Sequence, residues 1–326
     1  MDHPYNLQMK IDAILSDYDG TLCPTSSISQ DNSNSSSRIP ERLEKIIWNI
    51  SEKIDVCIVS SKDFGFLHRR TKFAKILSCI MGIETLVLKR HKLKAVMREN
   101  QYDNDDDSNN KNINNKTNIS FGECKDKLQC ILSSHIPSNK DILQDNSRLL
   151  DSLADEISIN FKNITIERKF TSDNQILAGI TIDYRHLKEW QSHKRKTEPL
   201  LKEMIQRNIQ SSSSYELYVQ TYSTHPFIDV YSVRCDKGLA FDATIAELAC
   251  FNADDDRRQS ILYLGDSEND NLAFKRADVS IGVCSDKRLN PKLTCQYLVQ
   301  FNQLSIFLKR LQYNNFVFSD KLLLNL

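Results

Sequence analysis

The chain has 326 residues, enough for two domains, and its 43 Lys and Arg residues balance 43 Asp and Glu residues. Zero net charge argues against a nucleic-acid partner or an anionic membrane surface, since neutralising phosphates needs surplus basic residues. No apolar run reaches the roughly 20 residues of a membrane span. The first ten residues lack a secretory signal, and nine unpatterned cysteines indicate reduced thiols. We therefore expect a soluble cytoplasmic protein.

Short apolar runs alternate with helical patterns over the first 90 residues, which predicts an α/β fold. Residues 11–15 and 55–60 are predicted as buried parallel strands, each followed by polar residues. A first helix is predicted from Pro40, because proline suits the first turn. A second helix over residues 66–80 and a third strand over 85–88 complete this part. The Ser- and Asn-rich segment 26–37 is predicted as a loop.

From residue 91 to residue 234 the pattern is that of an α+β domain inserted into the first. Segment 100–120 is almost wholly Asn, Asp, Lys and Ser, and is predicted to be disordered. Two alternating runs, 164–170 and 175–185, flank a polar turn and predict a β-hairpin. Further elements of this insert are two helices over 149–157 and 189–207, and strands over 216–222 and 227–233.

Residues 235–326 return to the α/β pattern, with helices over 239–250, 271–276 and near 304–311 and strands over 260–264 and 279–283. The core domain is thus predicted as 1–90 plus 235–326, a doubly wound parallel sheet of the Rossmann type. Residues 91–234 form its α+β cap. Asp17, Ser60 and Asp266 all follow predicted strands, and ligands bind at strand ends in such sheets.

Two pairs of carboxylates stand out at these strand ends. Asp17 and Asp19 lie two residues apart, so both can enter one pocket while Tyr18 faces away. One aspartate could then serve as a nucleophile and the other as a general acid/base. The same short sequence is also typical of a plain turn with solvated aspartates. Asp266 and Asp270 can bind a Mg²⁺ ion together with Asp17, or serve as an N-capping cluster.

Two further residues could hold a phosphate. Ser60 lies at the end of a predicted strand, and Lys237 lies at the start of a predicted helix, where the helix end favours an anion. Each alone is a weak signal, because most lysines are solvated surface charges.

Together, the motifs DYDGT, DKG and GDSEND and the serine that follows VCIV resemble those of the haloacid dehalogenase-like phosphohydrolase superfamily. The resemblance covers residues from about 10 to 283. It implies a capped core that binds Mg²⁺ and hydrolyses a phosphate ester through an aspartyl-phosphate. It also implies that Asp17 is the nucleophile and that Asp19 is the acid/base, with its backbone carbonyl on the metal.

The same resemblance assigns the remaining motif residues. Ser60 and Lys237 are expected to orient the phosphate. Asp266 is expected to bind Mg²⁺ directly. Asp270 is expected either to bind the ion directly or to act on it through a water molecule or through Lys237. Further residues expected beside the substrate are Thr21, which can also restrain Asp19, and Asn269.

The position of the insert, between the serine and the lysine motifs, resembles phosphatases of trehalose phosphate, sucrose phosphate and mannosyl-phosphoglycerate. The runs ITIERKF, LAGITIDYR and DKGLAFDATIAEL are similar to trehalose-phosphate phosphatases. Glu167, Lys169 and Arg185 are therefore candidates for recognising sugar and phosphate, or else a solvated face with cross-strand ion pairs. GDSEND departs from the GDDxTDE form of those enzymes and is closer to the other two groups.

These observations predict a Mg²⁺-dependent phosphomonoesterase that hydrolyses a small phosphorylated sugar of the trehalose-6-phosphate type, in trehalose biosynthesis. Two alternatives are a sugar phosphomutase and a non-catalytic regulatory subunit of a sugar-synthase complex. The presence of every motif carboxylate, with the serine and the lysine, argues against the second alternative.

Overall fold

The structure is a computed structural model that describes residues 8–24, 38–90, 129–136, 140–161, 163–211, 217–222, 226–251, 258–284 and 292–324. The predicted loop over residues 26–37 and the predicted disordered segment 100–120 lie outside these residues. In the described part of the chain, no helix combines the length and the apolar character that crossing a membrane requires.

Fourteen strands are found in the described residues. In chain order they are β1 (Met9–Lys10), β2 (Ala13–Ser16), β3 (Asp55–Val59), β4 (Ile76–Cys79), β5 (Glu84–Arg90), β6 (Gln129–His135), β7 (Thr165–Phe170), β8 (Leu177–Asp183), β9 (Tyr218–Thr221), β10 (Phe227–Tyr231), β11 (Ile261–Gly265), β12 (Val279–Cys284), β13 (Tyr297–Gln300) and β14 (Val317–Phe318).

The helices alternate with these strands. They are α1 (Glu41–Ser51), α2 (Phe64–His68), α3 (Lys140–Asn160), α4 (Trp190–Ser211), α5 (Lys237–Phe251), α6 (Asn271–Phe274) and α7 (Phe301–Tyr313). Short 3₁₀ turns cover Ile80–Gly82, Glu268–Asp270 and Asp320–Leu323.

The large sheet has eight strands in the order β13-β12-β11-β2-β3-β4-β5-β6. The first six run parallel, and β5 and β6 are antiparallel additions at one edge. Side chains of a strand alternate between the two faces of a sheet. Accordingly, Ile14 packs in an apolar cluster with residues of α1 and α7, while Ala13 and Leu15 pack in another with residues of α5. Helices thus cover both faces, which confirms the predicted doubly wound α/β core.

The smaller sheet is antiparallel throughout, with the strand order β7-β8-β10-β9. The predicted hairpin of β7 and β8 is present, and α3 and α4 share an apolar cluster with the sheet. We call β7–β10 with α3 and α4 the cap. The wider assignment of residues 91–234 to one inserted domain stays a prediction, and β6, which falls in that range, pairs with β5 in the large sheet.

The prediction of one helix over residues 66–80 is wrong. The helix α2 ends at His68, and Ile76–Cys79 forms β4 inside the large sheet. All four side chains of β4 are buried, including the polar Ser78, so burial does not alternate along the strand. Periodicity cannot separate such a strand from a buried helix.

Candidate active site

The carboxyl ends of neighbouring parallel strands bring the predicted motif residues to one edge of the large sheet. Asp17 follows β2, Asp266 follows the adjacent β11, and the Asp17 N–H continues their ladder by donating to the Leu264 carbonyl at 2.9 Å. Lys237 begins α5, which packs on the same sheet. The sequence-distant motifs therefore meet in space, as the strand-end pattern predicts.

Lys237 lies between two carboxylates in the interior. Its ammonium group is 2.8 Å from Asp17 Oδ2 and 2.7 Å from Asp270 Oδ1, and its side chain is buried. Burial disfavours the charged amine, but the attraction of Asp17 and Asp270 outweighs this, so the pKa of Lys237 is raised. Lys237 is thus a fixed positive charge beside Asp17.

Asp270 is held by donors on both carboxylate oxygens. Oδ1 accepts from Lys237 and, at 2.7 Å, from the Tyr263 hydroxyl. Oδ2 accepts from the backbone N–H groups of Asp266 and Ser267 and from the Ser267 hydroxyl, at 3.0–3.1 Å. The predicted capping role of this motif is therefore present together with the contact to Lys237. A carboxylate so fully bonded is suited to orienting its neighbours.

The site carries more negative than positive charge. Asp17, Asp266 and Asp270 each offer an oxygen within 4.8 Å of the others, and Lys237 is the cation in contact with Asp17 and Asp270. Burial raises the pKa of Asp17 to about 7 against the opposing effect of Lys237, with repulsion from Asp270 adding to the rise. Burial and repulsion from Asp17 and Asp270 likewise raise the pKa of Asp266 well above its usual range. A hard divalent cation such as Mg²⁺ fits this oxygen donor set and would offset its charge.

The tight loop after Asp17 shapes the other side of the site. Tyr18 is fully buried, as expected, while Asp17 and Asp19 both line one cavity. Gly20 has φ +82°, and a Cβ built there would lie 1.9 Å from Asp266 Oδ2. Thr21, predicted to lie beside the substrate, is fully buried and its hydroxyl donates to Asp266 Oδ1 at 3.4 Å. Its position favours orienting that carboxylate over contacting a substrate.

Ser60 directly follows β3. It is buried, and its hydroxyl accepts the Lys62 N–H at 3.2 Å, while the neighbouring Ser61 and Lys62 line the cavity. The predicted contact of Ser60 with a phosphate stays a prediction.

A cavity of about 340 Å³ lies between the strand ends and the cap. Its floor includes Asp17, Asp19, Lys237 and Asp266. The predicted cap residues that line it are Glu167, Lys169 and Arg185, and Asn269 lines it from the core. The structure therefore brings the core and cap candidates to one space.

Every charged cap residue at this cavity has a partner of opposite charge. Glu167 pairs with Lys62 at 2.8 Å, Lys169 with Asp229 at 3.4 Å, and Arg185 with Asp183 at 2.7 Å. Asp229 also accepts from the hydroxyls of Thr181 and Tyr222. Burial opposes its charge, but Lys169 and these hydroxyls outweigh burial and lower its pKa.

Among the residues of this region that sequence reasoning missed are Lys62, Asp229 and Tyr263. Asp229 carries a signal in retrospect, because it is the single acidic residue in the otherwise apolar-rich strand FIDVY, and buried charges are almost always paired. Lys62 and Tyr263 carry none, because a lysine after a strand and a tyrosine within one are both common.

No family model matches the chain, and no curated protein matches it by sequence. Its structure is similar to that of a trehalose-6-phosphate phosphatase related protein, with 16% identity, 93% of this chain and 97% of that chain covered, and a TM-score of 0.54. It is also similar to the C-terminal domain of C. albicans trehalose-6-phosphate phosphatase, with 16% identity, 93% of this chain and 92% of that chain covered, and a TM-score of 0.60. A third similar structure is that of a haloacid dehalogenase-like hydrolase from Bacteroides thetaiotaomicron, with 14% identity, 93% of this chain and 100% of that chain covered, and a TM-score of 0.53. The predicted resemblance is thereby confirmed at the level of the fold.

Proposed function

We propose that this protein is a Mg²⁺-dependent phosphomonoesterase of the cytoplasm that hydrolyses a small phosphorylated sugar of the trehalose-6-phosphate type. The observation that carries this proposal is the Asp17 carboxylate on the cavity floor, 2.8 Å from the buried ammonium group of Lys237 and clustered with Asp266 and Asp270. The fold shared with a trehalose-6-phosphate phosphatase supports it, and a role in trehalose biosynthesis is part of the proposal.

In the first half of the reaction, a carboxylate oxygen of Asp17 attacks the phosphorus atom in line with the sugar oxygen. The bond from phosphorus to the sugar oxygen breaks, and the protonated Asp19 gives its proton to that oxygen. Lys237, already charged and in contact with Asp17, offsets the negative charge that would otherwise repel the nucleophile from the phosphate.

In the second half, Asp19 is a carboxylate and takes a proton from water. The water oxygen attacks phosphorus, the bond from phosphorus to Asp17 breaks, and inorganic phosphate leaves. Asp17 is again a carboxylate and Asp19 is again protonated, so the cycle closes without any other reactant.

The residues proposed to hold Mg²⁺ are Asp17, Asp266 and the backbone carbonyl of Asp19. Asp270, whose oxygens are occupied by five donors, acts through Lys237 and through the Asp266 backbone. A bound Mg²⁺ supplies neutralisation of charge on the phosphate and fixes its orientation.

Substrate recognition is proposed to combine the cap with the loop around Ser60. Glu167, Lys169 and Arg185 supply donors and acceptors to the sugar from the cap, and Asn269 does so from the core. Ser60 and Lys237 orient the phosphate. Paired charges in a polar cavity suit a neutral, hydroxyl-rich group, whose hydroxyls both donate and accept.

The test is a screen of sugar phosphates with Mg²⁺, in which released phosphate and isomeric sugar phosphate are both measured. We expect released phosphate; an isomeric phosphate instead would indicate a mutase, and no turnover would contradict the proposal.

Asp17→Asn should lower turnover by a factor on the order of 10⁴ or more, while the thermal unfolding midpoint stays close to that of the wild type. Retained turnover in this variant would remove Asp17 as the nucleophile.

A further inference from the structure

The cap meets the core in two chemically different ways. At one side, both carboxylate oxygens of the buried Glu84, the first residue of β5, accept from Ser172 in the hairpin turn of the cap, at 2.6 and 2.8 Å. Ile176, Ala178 and Tyr231 of the cap region pack there in the same apolar cluster as the core. Buried apolar contact and paired hydrogen bonds make this side a firm joint.

At the cavity side the contacts are polar. The ammonium group of Lys62 lies 2.9 and 2.8 Å from the two carboxylate oxygens of Glu167. Gln220 of the cap donates to the side-chain oxygen of Asn269 at 2.8 Å.

Lys62 is held rigidly on the core. Its N–H donates to Ser60 Oγ at 3.2 Å, and its carbonyl accepts from Ile80 at 3.0 Å. Its ammonium group also lies 5.1 Å from the centre of the Phe66 ring. Its side chain is 16% exposed, which limits the screening of its attraction to Glu167 by water. A fixed cation of this kind defines where the Glu167 carboxylate lies.

We propose that Lys62 is a positioning residue, and that its ion pair with Glu167 latches the cap over the cavity floor. The firm joint at Glu84 lets the cap remain attached when the latch breaks. This inference rests on the proposed function for its effect on turnover: a substrate that contacts Glu167 needs the latch more than a small ester that reaches Asp17 alone.

Kinetics on two substrates test this role. In Lys62→Met, kcat/KM should fall on the order of 10²-fold for the preferred sugar phosphate, since small misplacements cost this much. It should fall much less for p-nitrophenyl phosphate. Glu167→Gln should behave alike, and the double variant should lose little more than either single one. Lys62→Arg should recover part of the loss. Equal loss on both substrates, or additive losses, would overturn the proposal.

Small-angle X-ray scattering of the full chain without substrate gives a readout independent of turnover. Lys62→Met should have a larger radius of gyration than the wild type, because the cap opens about its joint. The matched control is Lys75→Met, which breaks the Lys75–Asp55 ion pair of 2.8 Å on the core and should leave the radius unchanged. A wild-type radius in Lys62→Met would overturn the latch. If the wild type hydrolyses neither ester, the proposed function fails, and scattering alone decides on the latch.

Discussion

Gly20 sets the geometry of the site through its lack of a side chain. Its φ of +82° is costly for other residues, and a Cβ there would lie 1.9 Å from Asp266 Oδ2. We predict that Gly20→Ala displaces the Asp266 carboxylate and lowers kcat/KM on the order of 10²-fold. The free energy of unfolding, measured in urea, should fall by about 1–2 kcal/mol.

Gly65→Ala is the matched control for this change. A Cβ at Gly65 meets nothing closer than 3.7 Å, and the residue lies in α2, where alanine is the better helix former. It should leave kcat/KM unchanged. Wild-type activity in Gly20→Ala would show that the position of Asp266 does not matter to turnover.

At the residue scale, strand ends made part of the site predictable. Asp17, Asp266 and Lys237 converge as their positions after strands and before a helix imply. The burial of the Thr21 and Ser60 side chains was not predictable, because adjacent residues of a loop differ in direction by backbone angles that the sequence does not specify. The same holds for Lys62.

A substitution in β4 tests whether residues 76–79 form a buried strand of the large sheet. Leu77 is fully buried in β4, between β3 and β5. We predict that Leu77→Ala lowers the free energy of unfolding by about 2–5 kcal/mol in a urea titration, because it leaves a cavity in the sheet. Leu200→Ala, at a 53% exposed position of α4, should change it by about 0.5 kcal/mol or less. Equal effects would contradict the central place of β4.

Helices and strands with a clear hydrophobic period or a clear polar turn at their ends could be predicted from the sequence, and those without these features could not. The hairpin of β7 and β8 has alternating runs around a polar turn, and it forms as predicted. By contrast, β4 is buried on both faces, and β6 is placed in its sheet by pairing with the distant β5. Tertiary pairing of this kind leaves no local signal.

At the scale of the whole molecule, the charge of the site links metal binding to stability. Asp17, Asp266 and Asp270 are clustered, and a cation that binds only the folded chain stabilises it by mass action. We predict that Mg²⁺ at a hundredfold excess over its Kd adds about 2.7 kcal/mol to the free energy of unfolding. Removing the ion with a chelator should reverse this gain.

The variant Asp266→Asn should lose most of this Mg²⁺ effect. Asp55→Asn is its control. Asp55 is the first residue of β3 and therefore lies at the amino-terminal ends of the parallel strands, opposite to the site. Thermal unfolding with and without Mg²⁺ measures both. An equal rise of the unfolding midpoint in Asp266→Asn and in the wild type would place the ion elsewhere.

The doubly wound sheet supplies the reacting groups, the cap encloses them, and the Asp17 carboxylate is proposed to take the phosphoryl group. The direct measurement is an acid quench of Asp19→Asn with p-nitrophenyl phosphate, followed by mass spectrometry of its peptides. The good leaving group needs no proton, whereas the second half lacks its base, so the intermediate should accumulate. We expect a phosphoryl group on Asp17. Its absence, or its presence on another residue, would show that Asp17 is not the nucleophile.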